Sequence, residues 1–181
     1  MEFTRQGFAA CTILIAQMLL SQSAYADVAN AAAAAAAADV QRAIDQGDAV
    51  RALALVAPAL AAKPGDARLR FLQGVALFDL KRDAQALTVF AALAQDYPQL
   101  PEPHNNIAAI HARTGQWEQA RAALELALRN DPSQTAAREN LGDVYLQLAL
   151  VQWASAGSKT KPSAELQRKL RLARELLATQ P

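Results

Sequence analysis

The chain has 181 residues and a net charge of +1, which excludes a polyanion-binding surface spread over its whole length. Alanine dominates an apolar content of 52%, and the 7 glycines and 8 prolines are few, as is typical of a helical protein. The single cysteine, Cys11, excludes an intrachain disulfide and any metal site that needs several thiolates.

The first predicted element is a secretory signal. A short segment with Arg5 precedes an apolar run over residues 8–20, and Ala24 and Ala26 then form a small-x-small cleavage pattern. We therefore expect residues 1–26 to be a signal peptide and the mature protein to be periplasmic or secreted. The run is shorter than the about 20 residues that span a bilayer, although an uncleaved N-terminal anchor is the alternative.

Three kinds of residue then recur with a period of 34: a proline, an alanine twelve residues before it, and a turn residue seventeen before it. The sets are Pro64, Pro98 and Pro132; Ala52, Ala86 and Ala120; and Gly47, Lys81 and Gly115. Proline cannot continue a helix, and glycine at a turn separates two helices. The period therefore predicts a pair of helices in each unit, and such units must stack to bury their apolar faces.

These positions resemble the tetratricopeptide repeat family. The signature positions are clearest in residues 101–134, which carry Ala108, Gly115, Ala120, Leu124, Ala127 and Pro132. The resemblance implies an all-α fold, a right-handed superhelical array of helix-turn-helix units. With the secretory signal, the chain resembles exported bacterial members of that family. The expected array covers residues 27–155, with units at 33–66, 67–100, 101–134 and 135–155.

The first and last units depart from the pattern. Unit 33–66 is degenerate: its first helix is an alanine tract with Asn30 as the expected N-cap, and Pro58 inside its second helix predicts a bend. Unit 135–155 is partial because it has no glycine turn. Residues 156–163 read as a loop, after which Ser163 is expected to cap a C-terminal capping helix that completes residues 156–181.

Packing roles follow from the aligned positions. Small residues are expected to let helices approach closely, and larger residues to fill the space between units. The small set is Gly74, Ala86, Ala108, Ala120 and Gly142, and the large set is Leu77, Phe90, Leu124 and Tyr145.

The sequence carries no pattern that indicates catalysis. His104 and His111 lie seven residues apart, whereas helical metal ligands usually lie three or four apart, so we interpret both as packing residues. No nucleophile elbow, phosphate loop or aromatic-basic strip appears. We therefore predict a protein that is not an enzyme, with no cofactor, no metal and no nucleic-acid partner.

The family resemblance implies a concave groove lined by the first helix of each unit. Candidate groove residues are Phe71, Val75, Phe78, Asn105, Asn106, Arg113, Asn140 and Asp143. Asn106 and Asn140 occupy matching positions in adjacent units. Their amides suit hydrogen bonding to a peptide backbone, but asparagine is also common at this position in the family whatever the ligand. The apolar trio on one helix face forms either a ligand pocket or packing against the alanine-rich first helix. The lysines that some members use to clamp carboxylates are missing.

The sequence thus favours a non-catalytic exported scaffold that binds a protein or peptide segment, with cell-envelope assembly or secretion as the family-level context. We expect the protein to have no membrane span after signal cleavage. The alternative is a structural module that self-associates by stacking through the incomplete fourth unit, where Trp153 lies.

Overall fold

A computed structural model describes residues 28–159 and 162–178 of the chain. All secondary structure in those ranges is helical, which confirms the all-α prediction, and none of these helices is long and apolar enough to cross a bilayer. The expected signal peptide, 1–26, lies outside the described residues. The helices are α1 (residues 28–45), α2 (Ala49–Ala62), α3 (Ala67–Asp79), α4 (Asp83–Asp96), α5 (Glu102–Arg113), α6 (Trp117–Asn130), α7 (Thr135–Lys159) and α8 (Ala164–Ala178).

The 34-residue period reappears in the backbone. Helices α2, α4 and α6 each have 14 residues and begin 34 residues apart. In each case the helix is followed by one cap residue and then by the proline. A residue directly before proline disfavours the helical backbone conformation, so the helix stops before it. In all three caps the backbone N–H donates to the carbonyl four residues back, at 2.9 Å; the caps are Lys63, Tyr97 and Asp131.

The turn inside each helix pair is also repeated. Gly47, Lys81 and Gly115 have φ angles of +74°, +60° and +73°. Each turn holds two backbone hydrogen bonds, as from Gly115 N–H to Ala112 C=O (3.0 Å) and from Gln116 N–H to His111 C=O (2.9 Å). A residue in the left-handed conformation, with two N–H groups that donate to carbonyls of the last helical turn, is a common C-terminal cap of a helix. The turn residue identified from the sequence therefore has the predicted role in all three places.

The chain divides into two compact units with a boundary inside α3, after Ala76. The described part of the first unit comprises α1, α2 and most of α3, and alanine supplies much of its core. The buried apolar side chains are those of Ala33, Ala37, Val40, Ala43, Ala49, Ala52, Val56, Leu69, Leu72 and Ala76. The expectation for Asn30 is wrong: it lies inside α1, where its side-chain Oδ1 accepts a 2.6 Å hydrogen bond from Lys63 Nζ. Helix α2 continues through Pro58.

In the second unit, helices that are consecutive in the sequence pack together from α4 to α8. Ala86, Phe90 and Ala120 are fully buried, and Leu77 and Leu124 are nearly so, which confirms their packing roles. A core cluster joins α5, α6 and α7 through Ala108, Ala120, Ala123, Leu124, Ala127, Ala137 and Val144.

Two packing expectations fail on α7. Gly142 is exposed, and a Cβ added there would meet no atom within 4 Å, so this glycine serves no close helix approach. Tyr145 is 50% exposed and does not fill a gap between units. Its hydroxyl instead reaches Glu125 Oε1 of α6 at 3.5 Å, at the surface of the protein.

The end of α7 also differs from the expected loop at 156–163. The helix continues through Lys159 and reaches 25 residues. Because position 149, one period after Gly115, is an alanine, nothing there favours a left-handed turn and the helix is not interrupted. The predicted cap of α8 is confirmed, since Ser163 Oγ accepts a 3.1 Å hydrogen bond from the Leu166 N–H.

Candidate functional site

Arg113, predicted as a groove residue, holds three elements of the second unit together. It lies at the end of α5, where its Nε donates to Asp83 Oδ2 at 3.0 Å and its Nη2 completes the ion pair with Asp83 Oδ1. Its Nη1 donates to the Phe78 carbonyl at 3.2 Å, and its guanidinium carbon lies 3.8 Å from the centre of the Phe78 ring. The end of α3, the start of α4 and the end of α5 therefore meet at one side chain.

The positive charge of Arg113 is thus largely compensated by Asp83 inside the protein. Burial lowers the pKa of Arg113, while the nearby charge of Asp79 opposes that shift. The guanidinium nevertheless stays protonated, because arginine keeps its charge in proteins at physiological pH. Asp83 compensates this charge, so Arg113 offers little attraction to a carboxylate ligand. The face of Phe78 is covered by the same guanidinium.

The asparagines form a direct link between α5 and α7. Asn140 Nδ2 donates to Asn105 Oδ1 at 2.9 Å, and we call these two residues the amide pair. Asn106 instead donates to the carbonyl of Glu102, one turn earlier on its own helix, at 2.9 Å. Asn105 is half-buried and Asn140 exposed, so the amide pair lies at the protein surface.

The amide pair borders a cavity of about 330 Å³, here called the second-unit cavity. Its walls come from α5, α6, α7 and α8. The lining residues are Ala108, Ala109, Ala112, Arg113, Trp117, Leu124, Asn140, Asp143, Val144, Gln147 and Leu177. Most of them are apolar, while α7 supplies a polar edge. Such an apolar cleft with a few polar groups is the usual form of a binding site.

Three predicted groove residues therefore line one cavity: Arg113, Asn140 and Asp143. Asn105 joins them through its hydrogen bond to Asn140. Phe71 and Val75 belong to the first unit, where both are half-buried.

The sequence analysis did not assign Trp117 and Leu177 to a site. Trp117 is the first residue of α6, directly after the Gly115 turn, and a bulky residue at that point reaches the cavity. In the sequence of the capping helix, an apolar stripe is formed by Leu166, Leu170, Ala173 and Leu177, and Leu177 lies one turn after the buried Ala173. The stripe indicated that Leu177 would face the rest of the protein, but not what it would contact.

Both histidines of the chain lie on α5. Burial, assisted by the charge of Arg129, lowers the pKa of His104 below its ordinary value. His111 Nδ1 lies 2.9 Å from Gln116 Oε1 across the helix-ending turn. Within residues 28–159 and 162–178, no three side chains of the metal-binding types cluster closely enough to hold an ion.

Two family models described as tetratricopeptide repeat match the chain, one over residues 40–101 and the other over residues 101–144. No curated protein sequence matches it. Among solved structures, the chain is similar to the first TPR domain of the human RPAP3 protein, with a TM-score of 0.61 and 20% identity over 65% of this chain and 92% of that one. It is also similar to the first TPR of Spaghetti (RPAP3) bound to the HSP90 peptide SRMEEVD, with a TM-score of 0.60 and 20% identity over 65% and 93%.

Proposed function

Residues 40–144 of this chain are tetratricopeptide repeats, and from that premise we propose that the protein is a non-catalytic scaffold that binds a peptide segment of another protein in the second-unit cavity. The observation that carries this proposal is the amide pair at the border of an apolar cavity. A side-chain amide has two N–H donors and a carbonyl acceptor. The single hydrogen bond between Asn140 and Asn105 therefore leaves further donors and acceptors of both amides for a ligand.

A peptide is the ligand class that best uses such a border. Its backbone alternates donors and acceptors, which suits amides, and its side chains can enter the apolar cavity. The similar Spaghetti (RPAP3) domain is bound to a peptide in its structure, and this supports the same class of ligand here.

The ligand proposed here is nevertheless not an acidic peptide like SRMEEVD. Among the described residues that line the second-unit cavity, the only cation is Arg113, and Asp83 already compensates it. Asp143 adds a carboxylate to the same wall. A ligand with a carboxylate-rich end would therefore lose hydration at this cavity without gaining a free cationic partner, which is unfavourable.

Export is the second part of the proposal. The apolar run and the small residues at 24 and 26 support cleavage after Ala26 and a role in the periplasm or outside the cell. Envelope assembly and secretion are the settings in which such a scaffold would act, and they rest on analogy at the level of the fold.

The binding proposal is tested by selecting peptides from a random display library on the parent chain and measuring their affinities for two matched variants. Ala109→Trp fills the second-unit cavity, whereas Ala122→Trp places the same bulk on an exposed position of α6. We expect the selected peptides to lose binding to Ala109→Trp and to keep it with Ala122→Trp. Circular dichroism checks that both variants remain folded.

A finer comparison tests the amide pair. Asn140→Ala should weaken the selected peptides roughly tenfold, because a buried ligand group left unpaired costs about 1–3 kcal/mol. Asn106→Ala is the matched control, since its amide already bonds to its own helix, and it should have a smaller effect. Peptides that bind all variants equally would place the binding surface elsewhere.

Self-association is the second candidate function, and the exposed side chains of α7 favour it. Tyr145 is 50% and Val151 49% exposed on a helix that is not followed by a regular repeat partner. Light scattering over a range of concentrations separates the two functions. A mass that stays monomeric at every concentration would exclude self-association and leave the scaffold proposal intact.

A further inference from the structure

Helix α8 reaches the second-unit cavity from the end of α7. Ser163 caps its first turn, and Leu166 Cδ2 would lie 3.8 Å from a Cβ added at Gly157, so α8 begins in close contact with the last turns of α7. It packs against α7, and near its end Leu177 joins the cavity wall beside Asn140 and Gln147 of that helix. Part of the proposed peptide site is thus already lined by a leucine of the same chain.

The charges of the two elements are complementary. In the described part of α8, four basic residues stand against two acidic ones, Glu165 and Glu175. On α7, Glu139, Asp143 and Gln147 follow one another at intervals of four, on a single helix face. Asp143 of this face lines the cavity directly, and Glu139 lies one turn before it. The cavity edge on α7 is therefore acidic, and α8 as a whole is cationic, with Lys169 paired to Glu165 of its own helix.

Helix α8 is held only shallowly. Ala173 is its one buried residue among those described, while Leu172 and Leu176 are 45% and 60% exposed. Because little apolar surface is buried, we expect α8 to separate from α7 with a much smaller free energy than global unfolding requires. A helix with these properties can leave the cavity without unfolding the rest of the unit.

We propose that the second-unit cavity is a receptor for a basic amphipathic helix that presents a leucine, and that α8 is its resident ligand, displaced when a partner segment of the same chemistry binds. This inference rests on the proposed function and specifies its partner. The leucine completes the apolar wall, and the net positive charge of the helix complements the acidic edge of α7.

Competition between the two helices has a measurable consequence. A ligand that binds only when α8 has left shows an affinity reduced by the fraction of molecules in that open state. Since α8 is tethered, its effective concentration is in the millimolar range and keeps that fraction low. Weakening the hold of Leu177 should therefore strengthen the binding of a helix offered in trans.

The test uses the full chain and a fluorescently labelled peptide with the sequence of residues 164–178, followed by anisotropy. The parent should bind this peptide weakly, and Leu177→Ala in the chain should bind it roughly tenfold more tightly. Leu172→Ala is the matched control: it removes a leucine from the exposed side of α8, away from the cavity, and should leave the affinity unchanged.

A second peptide makes the result independent of the stability of the variant chain. The same sequence carrying the Leu177→Ala change should bind the parent at least tenfold more weakly than the leucine peptide. Ala109→Trp in the chain should abolish binding of both peptides, and circular dichroism checks the fold of each protein.

Several results would overturn the inference: no binding of the leucine peptide to the Leu177→Ala chain, equal affinities for the Leu177→Ala and Leu172→Ala chains, or binding that survives Ala109→Trp. Its failure is distinguishable from failure of the proposed function. If peptides selected by display require the cavity but do not compete with the α8 peptide, the scaffold function stands and α8 is not its resident ligand. If no selected peptide requires the cavity, the scaffold function fails as well.

Discussion

At the scale of single residues, the three turn positions differ in chemistry although their backbones are alike. Gly47 and Gly115 adopt positive φ without a steric penalty, whereas Lys81 adopts φ +60° with a full side chain. A residue other than glycine in the left-handed region costs roughly 1–2 kcal/mol. The surrounding helices α3 and α4 therefore hold Lys81 in a conformation that it would avoid in isolation.

We predict that Lys81→Gly raises the free energy of unfolding by about 0.5–1 kcal/mol, since removal of strain outweighs the extra chain entropy of glycine. Gly115→Ala should lower it by about 1 kcal/mol for the same reason in reverse, because a Cβ at Gly115 meets no atom within 4 Å and the cost is conformational alone. Urea denaturation followed by circular dichroism measures both changes.

The control for these variants is Gly142→Ala. Gly142 is helical and exposed, so alanine there should stabilise the protein by up to about 1 kcal/mol. A loss of stability in Lys81→Gly would mean that the lysine side chain contributes more than its backbone conformation costs.

At the scale of the helices, an alanine near the start of each of α2, α4 and α6 has no exposed surface: Ala52, Ala86 and Ala120. Each lies at the same register of its helix, three residues after the helix begins. A position that is repeatedly small and repeatedly buried sets the distance between packed helices, because interiors are close-packed and cannot take additional atoms without strain.

Ala120→Leu should therefore lower the free energy of unfolding by about 1–3 kcal/mol. Its neighbour supplies the control. Arg121 lies at the surface of α6 and pairs with Glu118 and Glu125 at 2.9 and 2.6 Å, and solvent screening makes such exposed pairs weak. Arg121→Leu should thus cost less than Ala120→Leu in thermal unfolding. Equal melting temperatures would contradict the packing role of the alanine.

The helices that the sequence predicted best are those with a stop signal in their own residues. Pro64, Pro98 and Pro132 determine where α2, α4 and α6 end, since proline acts on the residue directly before it. The end of α7 was predicted wrongly because position 149, one period after Gly115, is an alanine, and the helix continues where the earlier units turn. The roles of Arg113 and Leu177 were missed because periodicity shows which face of a helix is buried, but not which distant side chain it meets.

At the scale of the whole molecule, the export proposal can be tested without knowing the partner. The full-length chain with a C-terminal tag, expressed in a bacterium with a periplasm, should be processed after Ala26 and recovered from the periplasm with Asp27 as its first residue. Intact mass and N-terminal sequencing give the result. Matched controls place a bulky residue at the cleavage pattern, as in Ala26→Trp, which should leave the precursor uncut.

A precursor that stays intact and remains in the cytoplasm would contradict export, whereas an intact precursor in the membrane would support the uncleaved anchor. Neither result bears on the peptide-binding proposal, which depends on the second unit alone.

The continuous course of α7 has a consequence for how a chain of this kind changes in evolution. The helix passes through position 149 because alanine stands where the earlier periods have Gly47, Lys81 and Gly115. An alanine codon becomes a glycine codon by one nucleotide change. One nucleotide change at codon 149 would therefore supply the residue that adopts a left-handed turn without a steric penalty, with no insertion or deletion in the gene.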